Sequence, residues 1–161
     1  MRHSLLPLLL AAVPLHAQDH AAHHHAADTA FAAMQARGKT AMGVDQHAST
    51  HHFDVLPDGG RIALESDHDD SAAVAAIRAH FRDIARAFAR GDFATPGFVH
   101  DGPVPGAAVM AAKRAAITYA PHDLPRGAEL RIRTADPEAR RAVADFMAFQ
   151  RREHHAGGSG R

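Results

Sequence analysis

The chain has no cysteine and no tryptophan, a single tyrosine, and no excess of either charge: 18 Lys and Arg stand against 18 Asp and Glu. Each shortage removes a class of function. Without cysteine there is no disulfide framework, no thiolate metal site, no cysteine nucleophile and no lipid-modified cysteine anchor. Balanced charge gives no electrostatic pull toward nucleic acid or an anionic membrane. So few aromatic side chains offer little on which bases could stack, so nucleic acid is not expected as a partner. Large apolar residues are scarce beside alanine, so a chain with the length of one domain is expected to build a thin core. No Walker loop, dinucleotide glycine pattern or nucleophile elbow occurs. The composition leans away from an enzyme without excluding one.

Long apolar runs are also missing. Leu5 to Val13 is apolar but too short to cross a bilayer as a helix. With Arg2 before it and Ala17 after it, it has the form of an export signal. Residues 1–17 are therefore expected to be a signal peptide, leaving a periplasmic or secreted protein with no membrane anchor after cleavage. Residues 18–49 read as a weakly ordered, His/Ala-rich segment, in which "DTAFAAMQARGKTAMG" allows a short helix ending before Gly38. The ordered domain is expected over 50–155, followed by a flexible Gly/Ser tail at 156–161.

Within the domain, Phe53 and Val55 alternate with His52 and Asp54, and Ile62 and Leu64 alternate with Arg61, Ala63 and Glu65. Such alternation is the mark of half-buried strands. Asp58-Gly59 between them predicts a hairpin turn, with Val55 facing Ile62, Phe53 facing Leu64, His52 opposite Glu65 and His51 opposite Ser66. Val74, Ile77, Phe81, Ile84 and Phe88 then recur at spacings of three and four, an apolar helical stripe that Asp69 or Asp70 can cap and Gly91 can end. Residues 92–106 are rich in Gly and Pro and read as an irregular loop, with a short helix after it. A second hairpin turns around Pro125-Arg126-Gly127, and Asp136-Pro137-Glu138 opens a second long helix. "LPDGGRIALESDHDDSAAVAAIRAHF" can be laid on "LPRGAELRIRTADPEARRAVADFM", so each half is a ββα unit. The fold expected is an α+β two-layer sandwich from duplicated units, a four-stranded antiparallel sheet with its helices on one face.

What the chain has in plenty is histidine, 15 residues. Imidazole is a ligand for copper, zinc and nickel, which makes copper or zinc the cofactor expected if there is one. His20, His23, His24 and His25 form a tract in which several rings can reach one ion. His51 and His52 are adjacent on a strand and point to opposite faces. His52 lies toward Asp54 and Glu65 on the open face, while His51 points toward the helix layer with His80 and His154. His100, in the Gly/Pro segment, would suit cuprous copper together with Met110, with Met42 as a further sulfur. Gln150 and His154 continue the apolar stripe of the last helix, at the places that Ile84 and Phe88 hold in the first. Polar groups there need partners. Two readings follow: an exported metal-binding protein, or an exported domain that binds a small ligand or a protein while its histidines are incidental.

"MGVDQHASTHHFDVLPDGG", "IRAHFRDIARAFARGDF", "PRGAELRIRTADPEA" and "FMAFQRREH" together resemble a family of small exported bacterial proteins with an MGxDQ, THHF and PDGG pattern. The likeness covers roughly residues 42 to 155, with Val44 standing where the family has Phe. Members are sometimes labelled aspartate carbamoyltransferase. No Ser-Thr-Arg-Thr phosphate-binding stretch stands in this sequence, so the resemblance transfers no catalytic residue.

Cleavage after Ala17 would leave Gln18-Asp19-His20 at the new N-terminus. A free amine, two backbone amides and the imidazole of a third residue supply four nitrogens in the plane that divalent copper favours. Copper titration of this mature form should give a tight complex that strengthens with rising pH, because two amide protons leave. An extra N-terminal residue or His20→Ala should abolish it; equal binding by all three proteins would show that no such terminal site exists.

Overall fold

Both Leu-Pro-x-Gly stretches make two-residue turns, and in each the proline takes the first corner. Proline holds φ near the value that the first corner of a common turn requires. Pro57-Asp58 therefore forms the first turn and pairs Leu56 with Gly59, where the sequence suggested a turn at Asp58-Gly59. Arg131 and Arg133 hold the Asp58 carboxylate, at 2.6 and 3.4 Å. Gly59 has φ +144, and a Cβ there would run into the backbone of Ile132. The observed partners are Phe53 with Ile62, His51 with Leu64 and His52 with Ala63, two positions from the expected register. A slip of two keeps every side chain on its own face, since the strand period is two.

The computed structural model describes the backbone of residues 16–154 and side chains from Asp28 onward, Gln46 excepted. The elements are α1 (His16–Met42), β1 (Ser49–Leu56), β2 (Gly59–Ser66), α2 (Ser71–Ala89), α3 (Ala94–His100), α4 (Ala107–Ala112), β3 (Ile117–Leu124), β4 (Gly127–Thr134) and α5 (Pro137–Glu153). The expected signal peptide lies outside the described residues apart from the first two positions of α1. The side chains of His20, His23, His24 and His25 also lie outside them. Among the described residues no helix is long and apolar enough to cross a membrane.

The strands form one antiparallel sheet in the order β1-β2-β4-β3, with α2 and α5 on one face: the α+β two-layer arrangement expected. Asp70 accepts hydrogen bonds from the amides of Ala72 and Ala73, and Asp136 from those of Glu138 and Ala139. Each aspartate thereby satisfies two of the amides that a helix start leaves open. The helices cross over. α2 lies mainly against β3 and β4, and α5 mainly against β1 and β2, so each ββα unit covers the other's hairpin. Two matched bonds tie the units together: Thr134 N–H to the Asp58 carbonyl at 3.0 Å and Ser66 N–H to the Arg126 carbonyl at 2.9 Å.

The core lies between these layers. Ile77, Phe81 and Phe88 of α2 and Val143, Phe146 and Met147 of α5 meet Phe53, Leu64, Leu130 and Ile132 of the sheet. Phe88 packs edge-on to Phe146 and stacks on Phe93, with ring centroids 6.0 and 4.3 Å apart. The other sheet face is polar. There Arg61 joins Asp54 and Glu129, at 2.9 and 2.6 Å.

Two expectations for the chain outside the sheet need correction. Residues 92–106 are not wholly irregular: Ala94–His100 is helical, with the Asp92 carboxylate accepting from Ala94 N–H and Pro96 in the first turn. The N-terminal helix does not stop before Gly38 but runs on to Met42. Gly43, at φ +72, supplies the left-handed residue that ends a helix. Gly38 instead lies buried inside it. Burial reaches back to Met34, because α1 rests on α3.

Phe146 is 1% exposed, so Phe146→Ala should lower unfolding stability by about 3–5 kcal/mol. Val55, 48% exposed, should tolerate alanine within about 0.5 kcal/mol. Urea unfolding of both variants checks this; equal losses would mean that the α5 layer carries little of the core.

Candidate functional site

Four of the candidate histidines come together. A cavity of about 90 Å³ lies between the sheet and the helices, and His51, His80, His100 and His154 all line it, with Gln150 and Met42. Each arrives by a different route. His51 is on the core face of β1, two residues before Phe53, and the two rings stack at 5.7 Å. His80 sits on α2, one turn before Ile84. Gln150 and His154 are one turn apart at the end of α5. The Arg151 guanidinium between them donates to the Phe53 carbonyl, at 3.0 Å from Nε and by a second bond from Nη2. That clamp fixes the end of α5 against β1. His100 is the last residue of α3. Its Nε2–H donates to Gln150 Oε1 at 2.8 Å, which gives the buried amide of Gln150 the partner it requires.

The rings form a continuous file. His154 lies 5.0 Å from His51, 5.3 Å from Phe53 and 5.2 Å from His100 between ring centroids. His100 also packs edge-on to Phe149 at 4.8 Å. Most of the rest of the wall is apolar, including Ile62, Phe81, Leu130 and Phe146, and among the described residues no Asp, Glu, Lys or Arg lines it. The outer side is bordered by Gly38 and Met42 of α1 and by Thr95, Pro96 and Val99 of α3. Arg37 Nε fastens these two helices to each other through the Val99 carbonyl at 2.8 Å.

Burial in this apolar wall disfavours the charged imidazole. It pushes His51 down to about 4, helped by repulsion from His80 and His52. His80 is lowered by burial against the pull of Asp83 and of its bond to the Ala41 carbonyl. His100 is lowered by burial against the Gln150 bond and Glu153, with Arg37 adding to the fall. At neutral pH these three rings are uncharged, and a neutral imidazole is both a hydrogen-bond donor and an acceptor.

The other candidates are elsewhere. His52 is on the open sheet face, opposite Ala63 and not Glu65, because the proline turn moved the register. Met110 is fully buried on α4 in the core and does not line the cavity, so the His100–Met110 pairing is not formed; Met42 is the sulfur at this site. Among the described residues no group of three or more His, Asp or Glu side chains is arranged to hold a metal ion. His80 and His100 spend ring nitrogens on Ala41 and Gln150. Sequence reasoning missed the covering wall from α1 and α3. The Asp92 carboxylate four residues before Pro96, which accepts from Ala94 N–H, was its signal, hidden within a segment rich in Gly and Pro.

No family model, curated protein or solved structure matches this chain.

The His51 shift links folding to pH. Unfolded, the ring takes a proton near its ordinary 6.5; folded, it refuses one until about 4. Its contribution is therefore complete above about pH 6.5 and is lost as pH falls toward 4, at up to about 1.4 kcal/mol per pH unit. Thermal unfolding measured from pH 7 to 4 should fall more steeply in wild type than in His51→Gln. Parallel curves would mean that His51 titrates normally in the folded protein.

Proposed function

We propose that this chain is a small exported protein, of the bacterial type that its MGxDQ, THHF and PDGG pattern resembles, whose domain binds a small and largely apolar ligand in the histidine-lined cavity. One observation carries the reading: four imidazoles and a buried amide reach a single apolar cavity from β1, α2, α3 and α5. A fold that needed only a core would fill this space with aliphatic side chains, since buried polar rings oppose folding unless they are partnered. Apolar walls with a few convergent polar groups are the usual form of a small-molecule site. The volume, about 90 Å³, falls short of the ~150 Å³ cavity that takes benzene, so the bound portion is smaller than a benzene ring. The histidines would orient it by hydrogen bonds, and the α1–α3 wall would keep water out.

A second reading concerns the other end of the chain. Four histidines within six residues, His20 to His25, support binding of copper or zinc by the N-terminal segment, independent of the cavity. The copper titration described above tests that segment.

The cavity reading is tested by following the His51 and His100 ring signals by NMR during titration with 1-propanol, acetamide, imidazole and propionate. At least one probe should shift both signals in wild type and leave them unmoved in Thr95→Phe, which fills the half-buried lip. Shifts from no probe, or shifts that persist in the filled variant, would overturn it.

A further inference from the structure

We infer that the cavity takes a short-chain monocarboxylic acid and that the acid's proton moves to His51 as the carboxylate binds. The inference rests on the cavity reading above and names its ligand class. His51 stacks on Phe53 and lies tilted against His154, but its ring makes no hydrogen bond among the described residues. An imidazole that lines a cavity without such a bond keeps a ring nitrogen for a ligand.

The charges around it select the partner. His80 faces it from α2, with Asp83 beside that ring; His154 and Glu153 are at the end of α5. His100 is on α3 with Arg37 of α1 near it, and His52 is the neighbour on the opposite face of β1. Among the described residues no carboxylate, lysine or arginine lines the cavity. An ammonium ligand would meet no carboxylate there. A bare carboxylate would meet no lysine or arginine. The group that can answer an anion is an imidazole that gains a proton.

The transfer balances with one proton from solvent, because at pH 7 the free acid is ionised and must regain its proton on entering the site. The O–H bond of the acid breaks and an N–H bond forms on His51, leaving a carboxylate beside an imidazolium. The pair carries no net charge, and each member favours the ionised form of the other, which offsets the cost of holding two charges in an apolar site. His51 is uncharged beforehand because burial holds it near 4, so the proton is taken up on binding. The short alkyl chain then has Phe53, Ile62 and Phe81 to lie against. A cavity of about 90 Å³ keeps the acid small.

Calorimetry with propionate and its neutral counterpart 1-propanol, in two buffers of different ionisation enthalpy, reads the proton directly. Propionate should bind more tightly than 1-propanol and take up close to one proton per molecule at pH 7. Its affinity should then fall about tenfold per pH unit between pH 6 and 8. His51→Gln should lose the uptake. If that variant is unfolded, the wild-type His51 ring carbon and proton shifts, which should move to imidazolium values on adding propionate, decide instead. Equal binding of 1-propanol, or propionate binding without proton uptake, would overturn the acid inference and leave the ligand reading standing. Failure of both probes to bind, together with silence from acetamide and imidazole, would remove the ligand reading itself. Uptake that persists in a folded His51→Gln would place the proton on the bound acid or another ring and overturn the assignment to His51.

Discussion

The pairing of β2 with β4 is the contact on which the molecule depends. It joins two hairpins into one sheet and sets α2 above the second hairpin and α5 above the first. Because each helix covers the other unit's strands, neither ββα half closes a core by itself. A hairpin alone is marginal in water, and here its apolar face is finished by a helix from the far half of the chain. The Thr134–Asp58 and Ser66–Arg126 backbone bonds repeat the same logic at the rims.

The crossing also makes the cavity. α5 reaches across to β1, and its last turn stops beside His51 and Phe53, where Arg151 grips the Phe53 carbonyl. α2 supplies His80 from the neighbouring side, and α3 drops His100 onto Gln150. Close packing normally leaves few voids in a core. At this corner the aliphatic stripe of α5 ends in Gln150 and His154, and that change of chemistry leaves room. The α1–α3 pair covers the opening, held by Met34 and the Arg37–Val99 bond. His51, His80 and His100 are thus neutral for a structural reason: the elements that position them also bury them.

Much of this was legible along the chain. The alternating strands, the Asp-capped helices and the stripes over Phe81 and Phe146 are local signals, and local signals survive folding when the tertiary environment agrees with them. His80 at the edge of its stripe and Gln150 and His154 within theirs were conspicuous as polar residues aimed at a core. The Pro57 corner was misread because Asp-Gly is a strong hairpin signal, while a proline one residue earlier constrains φ more firmly. The short helix α3 was lost among Gly and Pro residues. Met110 was an ambiguous residue by nature, since methionine fills cores as readily as it binds soft metals.

By itself, the sequence determined that this chain has no thiol chemistry, no surplus charge for nucleic acid, and two ββα patterns with their helix caps, because these depend on residue type and near-neighbour spacing. Only the tertiary structure decided which histidines meet. His51 and His52 are neighbours along the chain and stand on opposite faces of the sheet, whereas His51 and His154, more than half the chain apart, have rings 5.0 Å from each other. Strand alternation separates the first pair. Burial of α5 against β1 unites the second, and that depends on a strand order and a helix crossing that no local pattern encodes.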